Sequence, residues 1–162
     1  MNGVPIRAGG PADVEPCLDL WTAACAARDG QAFPGVAARA RPKFDSGIAF
    51  FVAGERERVD GFVLATRPGT GMATDPEDAA VVGLLAVDPA LHGEGRGRAL
   101  LRAVVDRLSE LGHEQAVLHA LLDNTGAIQL YESEGWVAQG SVYEHSLLKR
   151  PLRTFARPLP LS

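Results

Sequence analysis

Cysteine and long apolar runs are both scarce in this sequence, and each shortage excludes a class of protein. Only Cys17 and Cys25 occur, and both fall within one predicted helix. Their spacing fits neither a metal site nor a disulfide framework, which favours a reducing compartment. No apolar run approaches the roughly 20 residues of a membrane span, and no secretory signal is apparent. We therefore expect a cytoplasmic protein without a membrane partner and without a bound metal.

An excess of basic residues is also lacking. Sixteen lysines and arginines stand against twenty acids, which gives a formal net charge of −4. A general nucleic-acid binder needs a positively charged surface, so we expect no nucleic-acid partner. The 162 residues suit one domain with a single core. We expect that domain to span residues 1–150, followed by a proline-rich surface tail over residues 151–162.

The first half of the chain predicts a strand, two helical stretches and a hairpin. Residues 4–8 are short and apolar, and apolar residues recur at helical spacing from Ala12 onward. Proline and glycine interrupt residues 31–43, which predicts a weak or broken helix. The apolar runs at residues 48–53 and 61–66 flank a charged connection and so predict a hairpin.

The second half of the chain is more strongly patterned. Residues 79–87 form a nearly continuous apolar run, typical of a strand that is buried on both faces. A glycine-rich loop and an amphipathic helix follow. A strand over residues 116–122 and a helix over residues 124–135 come next. A hairpin of residues 136–139 with 141–148 completes the pattern. This order contains one strand–helix–strand crossover among antiparallel strands, which predicts an α+β domain with a mixed sheet.

The glycine-rich loop is the most informative segment. It reads His92-Gly93-Glu94-Gly95-Arg96-Gly97-Arg98 and opens the helix. N–H groups in a first helical turn have no intrahelical partner, and glycine lets a phosphate approach them closely. Charged side chains beside the loop can add contacts to the same phosphate. The loop therefore predicts a pyrophosphate site, although a turn that needs unusual dihedral angles would also explain the glycines.

Two familiar phosphate motifs fit this loop poorly. The phosphate loop of nucleoside triphosphatases needs lysine and then serine or threonine after its last glycine, where this chain has Arg98 and Ala99. The dinucleotide fingerprint needs a third glycine at the position of Arg98. It also needs an acid at the end of the next strand, whereas Glu114 precedes that strand. A nicotinamide-dependent oxidoreductase is therefore disfavoured.

Two motifs together resemble the GNAT superfamily of N-acetyltransferases. His92, Gly95 and Gly97 match the Gln/Arg-x-x-Gly-x-Gly/Ala loop of that family, with histidine in the first place. The stretch from Asn124 through Tyr131 to Trp136 resembles its Asn-x-x-Ala-x-x-Leu-Tyr-x-x-x-Gly-Phe pattern. The resemblance implies a twisted, mostly antiparallel sheet of about seven strands with about four helices. A homodimer is compatible with it, since many members of the family are dimers.

The resemblance also implies acetyl-CoA as the co-substrate and a small-molecule or peptide amine as the acceptor. Backbone groups at the end of the central strand would hold the pantetheine and the acetyl oxygen, and the glycine loop would hold the pyrophosphate. Tyr131 would be the catalytic acid for the departing thiolate. Asn124 would bind the cofactor arm or cap its helix. The full cofactor-binding set is Leu85, Ala86, Val87, His92, Gly93, Glu94, Gly95, Arg96, Gly97, Arg98 and Asn124.

The general base is not apparent from the sequence. His119 on a predicted strand is either a base or a structural histidine. The flexible loop over residues 68–78 holds Asp75, Glu77 and Asp78, which we interpret as solvated, with attraction of a cationic amine as the alternative. Glu144 and His145 lie in the last hairpin, and a water chain could equally remove the proton. With the base unassigned, a domain that senses acyl-CoA without turnover is the alternative to an enzyme.

Overall fold

A computed structural model describes residues 4–160. Within that range, seven strands form one sheet: β1 (Ile6–Ala8), β2 (Gly47–Ala53), β3 (Gly61–Thr66), β4 (Ala79–Val87), β5 (Gln115–Leu121), β6 (Val137–Glu144) and β7 (Pro151–Pro158). The α-helices are α1 (Val14–Asp29), α2 (Val36–Ala40), α3 (Arg96–Glu110) and α4 (Thr125–Ser133). Across these same residues, no helix has the length and apolarity needed to cross a membrane.

The sheet is mixed, with the strand order β1-β2-β3-β4-β5-β7-β6. The β4–β5 pair is parallel, and the other neighbouring pairs are antiparallel. Helix α3 connects β4 to β5, as a crossover between parallel strands requires. The prediction of an α+β domain with about seven strands and four helices is confirmed.

Two apolar layers cover the two faces of the sheet. Leu100, Leu101, Val104 and Leu108 on α3 are fully buried against one face, because they recur every three or four residues along the helix. On the other face, Leu18 of α1 packs in a cluster with strand residues that include Phe62. Strand β4 lies between these layers, which explains why its sequence is apolar throughout.

Most predicted elements lie close to their observed positions. Strand β4 has the predicted bounds, and the broken helix is α2 followed directly by the 3₁₀ segment Arg41–Ser46. The hairpin of residues 48–53 and 61–66 is the antiparallel pair of β2 and β3. These segments were predictable because their apolar patterns are regular and their boundaries are marked by glycine or proline.

The C-terminal prediction is wrong. The partner of β6 is β7, which lies between β5 and β6 in the sheet, so Pro151–Pro158 is not a surface tail. The predicted hairpin of residues 136–139 with 141–148 is likewise one long strand that ends in a turn. Pro151 and Pro158 obscured the strand because proline interrupts most strand patterns, yet at the two ends of a strand its missing N–H is tolerated.

Candidate functional site

Strands β4 and β5 separate after a short parallel contact. Their pairing covers Ala79–Val81 of β4 and Gln115–Val117 of β5, after which β4 continues to Val87 beside β3 alone. The β3–β4 register shifts at this point, because Leu64 pairs with Leu84 whereas Ala65 pairs with Val82. Gly83 is therefore an extra residue that bulges from β4. The result is a gap between the two strands that is edged by the backbone of β4.

The predicted strand-end residues lie along this gap. Leu85, Ala86 and Val87 pair with β3 on one side, and the parallel ladder no longer reaches them on the other. Ala86 packs toward α1, whereas Leu85 and Val87 pack toward α3. The expected divergence is present, and it leaves strand-edge N–H and C=O groups of β4 without a β5 partner.

The glycine loop leads from β4 into α3. Gly93 and Gly95 adopt left-handed φ angles of 83° and 85°, which glycine tolerates best. A β-carbon at either position would meet no heavy atom within 4 Å, so the loop faces open space. The N–H of Ala99 donates to the carbonyl of Gly95 at 3.0 Å. The N–H groups earlier in α3 have no carbonyl one turn before them in the helix, and a pyrophosphate fits such an end.

The charged side chains of the loop are engaged within the chain. The Arg96 guanidinium pairs with Glu94 at 2.8 Å, and Arg98 pairs with Glu134 at 2.5 Å. The His92 ring lies 3.3 Å from the carbonyl of Val87 through Nε2, which fixes it against the end of β4. The anion-binding capacity of the loop therefore resides first in its backbone, and Arg96 would have to exchange partners to reach a phosphate.

Helix α4 places the second motif beside this loop. A β-carbon on Gly97 would lie 3.3 Å from Leu130, so α3 and α4 meet closely at the loop. Asn124 occupies the N-cap position of α4, but its side chain makes no capping hydrogen bond.

Tyr131 packs near the ring of Phe155, with centroids 6.4 Å apart. Burial raises the pKa of Tyr131 to about 12, so its hydroxyl stays protonated at neutral pH.

His119 and Asp75 form a largely buried pair that the sequence did not predict. The imidazole Nε2 lies 3.0 Å from a carboxylate oxygen of Asp75, and the two side chains are 17% and 6% exposed. The interpretation of Asp75 as a solvated acid is therefore wrong, although Asp78 in the same loop is exposed and accepts a hydrogen bond from Gln115. The other Asp75 oxygen accepts from the N–H of Met72, which holds Asp75 within its own loop.

No sequence signal separates Asp75 from its neighbours in that loop. Its burial depends on the loop folding back onto a strand that begins about 40 residues later. The ring of Tyr143 on β6 lies edge-on to His119 at a centroid distance of 6.4 Å, a second contact that arises only from the tertiary fold. Throughout residues 4–160, no group of three or more histidine, cysteine, aspartate or glutamate side chains could hold a metal ion.

Comparison with known proteins decides the family. The model of the acetyltransferase (GNAT) family matches residues 17–136, well over half of the chain. The chain belongs to this acetyltransferase family. The GNAT match covers both the glycine loop and the α4 motif, the two segments that carried the resemblance.

Curated relatives agree with this membership, and solved structures share the fold. The mycothiol acetyltransferase of Geodermatophilus obscurus is 36% identical over 99 residues, which cover 60% of this chain and 31% of that protein. The chain thus spans about a third of the length of such relatives. The ribosomal-protein-S18-alanine N-acetyltransferase of Escherichia coli has a TM-score of 0.73 at 20% identity, with 98% of this chain and 95% of that chain covered.

A further solved structure of the same fold was determined with a bound cofactor. YncA from Salmonella typhimurium, determined with its cofactor acetyl-CoA, has a TM-score of 0.74 at 20% identity. The match covers 99% of this chain and 96% of that chain. At this identity the likeness establishes the shared fold.

Proposed function

We propose that this chain transfers the acetyl group of acetyl-CoA to a primary amine by direct attack. The observation that carries the proposal is the gap between β4 and β5, which opens beside the glycine loop at the start of α3. A long ligand with a thioester at one end and a pyrophosphate further along suits this arrangement. The loop would hold the phosphates while the thioester enters the gap.

The backbone supplies most of the proposed cofactor contacts. The N–H groups of the loop and first turn, at Gly93, Gly95 and Gly97, would donate to the pyrophosphate. The free edge of β4, from Leu85 to Val87, would pair with the amides of the pantetheine arm and orient the acetyl oxygen. Asn124 would then act as a ligand to the arm, a role supported by the absence of a capping bond from its side chain.

His119 is the proposed general base, and Asp75 is its positioning residue. A carboxylate only accepts hydrogen bonds, so the 3.0 Å contact with Asp75 puts the imidazole proton on Nε2. The Nδ1 lone pair is then available to accept a proton from the attacking amine. As nitrogen bonds to the acetyl carbon and the carbon–sulfur bond breaks, His119 takes the amine proton.

Tyr131 is the proposed general acid. Its raised pKa keeps the phenol protonated, so it can donate to the thiolate as that group leaves. Its place on α4, next to the glycine loop, matches the side of the gap that the cofactor would enter. Acid and base would therefore both act from the β5 side of the gap, since His119 lies on β5 and Tyr131 lies on α4, the helix that follows β5 in the chain.

A CoA-release assay with a panel of amines tests the proposal. The names of the relatives give the first acceptors to screen, which are a mycothiol-type amine and an alanine N-terminus. We expect CoA release that requires both acetyl-CoA and an amine, together with one N-acetylated product. The His119→Asn variant should lose roughly 10²-fold in turnover, while His113→Asn, at the turn after α3, should match the wild type.

The alternative of an acyl-CoA sensor predicts a different result. A sensor would bind acetyl-CoA, release no CoA with any amine, and be indifferent to His119→Asn. Tight acetyl-CoA binding without product across a broad panel would therefore replace the transferase proposal by the sensor.

A further inference from the structure

Four cations lie close enough to His145, in the turn between β6 and β7, for their charges to affect its protonation. Burial lowers the pKa of His145, and the charges of Arg39, Arg28, Lys43 and Arg150 lower it further. These four residues come from separate parts of the fold: α1, α2, the 3₁₀ segment Arg41–Ser46 and the β6–β7 turn. All four of these positive charges favour the neutral form of the imidazole.

Two of these cations are compensated by acids. Arg28 and Arg150 both pair with Asp29, at 2.7 and 2.6 Å. Arg150 also pairs with Asp123 at 2.8 Å. These ion pairs tie the end of α1 to the β6–β7 turn and to the turn before α4. Asp29 and Asp123 therefore hold Arg28 and Arg150 in place and offset most of their positive charge.

The other two cations, Arg39 and Lys43, have no acidic partner in the described part of the chain. Within residues 4–160 neither side chain forms an ion pair with a carboxylate. Although part of the Lys43 side chain is exposed, desolvation of its ammonium, followed by repulsion from Arg39, lowers the pKa of Lys43. Two neighbouring cations without a counter-charge repel each other. A bound anion would offset that repulsion.

The cluster borders the gap between β4 and β5. The ammonium of Lys43 lies 3.5 Å from the carbonyl of Gly83, the bulged residue of β4. The charge of Arg28 acts on Tyr131, which ties the cluster to the proposed acid as well. The glycine loop belongs to α3 on the other face of the sheet, so these cations are distinct from the groups proposed for the pyrophosphate.

His145 adds a neutral donor to this cluster. Its Nδ1 accepts hydrogen bonds from the N–H groups of Leu147 and Leu148, at 3.1 and 2.9 Å. The ring proton must then reside on Nε2. An imidazole N–H beside two cations is a set of donors suited to a carboxylate.

We propose that the acceptor amine carries a carboxylate, which binds between Arg39 and Lys43. This inference rests on the proposed acetyl transfer and names its substrate class. The carboxylate end is held on the α1–α2 side, and the amine end reaches toward the gap. Lys43 is the main specificity residue, because its ammonium stands next to the bulge of β4.

Matched acceptor pairs test the inference. Each amino acid in the panel is assayed beside its own carboxamide, which keeps the amine and removes the anion. We expect the wild type to favour the acids by about tenfold or more in kcat/KM. Lys43→Gln and Arg39→Gln should reduce that preference to about twofold, chiefly through KM, and Lys43→Arg should retain it. The control is Arg107→Gln, which removes a cation that pairs with Glu110 on α3.

A binding measurement keeps the test decisive if no acceptor in the panel reacts. N-acetylglycine and N-acetylglycinamide are compared by thermal shift in the presence of CoA. Stabilisation by the acid alone, lost in Lys43→Gln, supports the inference. Equal responses to acid and amide in both assays overturn it and leave acetyl transfer standing. Failure to bind acetyl-CoA at all would instead overturn the transfer proposal.

Discussion

The imidazole of His119 on β5 contacts the carboxylate of Asp75, a residue 44 positions earlier in the chain, at 3.0 Å. The contact joins the β3–β4 loop to the strand that edges the gap. Both side chains are largely buried, at 17% and 6% exposure. A buried histidine–carboxylate pair at this place gives the proposed base a fixed orientation and a defined tautomer.

Replacing Asp75 by asparagine should slow turnover without weakening the cofactor complex. An amide can turn its NH₂ toward the ring, which would favour the tautomer whose Nδ1 carries the proton. We expect kcat to fall by at least about tenfold, with the Kd for acetyl-CoA unchanged within about twofold. Asp78→Asn, in the same loop, is the control. Equal kcat for the Asp75 variant and the wild type would remove Asp75 from the mechanism.

Replacing Tyr131 by phenylalanine tests the acid. The variant should turn over at least about tenfold more slowly while its acetyl-CoA affinity stays within a few-fold. Since burial raises the pKa of Tyr131 to about 12, the phenol remains protonated above its ordinary range. The ratio of wild-type to variant rates should thus be constant from about pH 7 to about pH 9. A ratio that shrinks toward pH 9 would mean that Tyr131 loses its proton there.

The glycine loop can be tested with a matched pair of variants. Asparagine and aspartate are close in shape, and both adopt left-handed angles such as the 85° at Gly95 more readily than other side chains. Gly95→Asp should weaken acetyl-CoA binding by about tenfold or more relative to Gly95→Asn, because its charge would face the pyrophosphate. Isothermal titration measures both. Equal affinities would show that no phosphate lies near Gly95.

Glu134 links α3 to the end of α4, and its effect on stability should depend on pH. Hydrogen bonds from Arg102 and then Arg98 lower its pKa below the ordinary 4.5. The stabilisation is therefore present above about pH 4.5 and lost as the pH falls through the lowered value. Because both arginines are partly exposed, we expect Glu134→Gln to cost only about 1–2 kcal/mol at pH 7.

Denaturant unfolding at several pH values measures that cost. Glu110→Gln, which breaks a surface pair with Arg107, should change the unfolding free energy by less than about 1 kcal/mol at every pH. A Glu134 effect that does not shrink as the pH falls below about 4.5 would contradict the linkage, since protonation of the folded-state carboxyl removes the charge that the arginines bind.

The elements that the sequence predicted are those with a local pattern. Strand β4 is apolar along its whole length, α3 has a regular stripe, and the glycine loop stands between them. The residues that specify each of these elements lie close together in the sequence. The central half of the fold and the backbone of the candidate site were therefore accessible before the structure was known.

The remaining features depend on contacts between distant segments. Asp75 is buried only because its loop folds over β5, and nothing in its neighbours indicates this. The charges of Arg39 and Lys43 act on His145, about 100 residues later, only in the folded chain. Strand β7 was missed for a different reason, since its terminal prolines resemble those of an irregular tail. The local pattern of apolar residues does not show which distant segments of the chain contact each other.

The most direct test of acetyl-CoA as the co-substrate is a thermal-shift titration with acetyl-CoA, run beside NADH and ATP. We expect stabilisation by acetyl-CoA and CoA alone, of about 2.7 kcal/mol when the ligand is at 100 times its Kd. That stabilisation should be strongly reduced in Gly95→Asp. No response to acetyl-CoA, or an equal response to NADH or ATP, would contradict the assignment of the gap and the glycine loop to this cofactor.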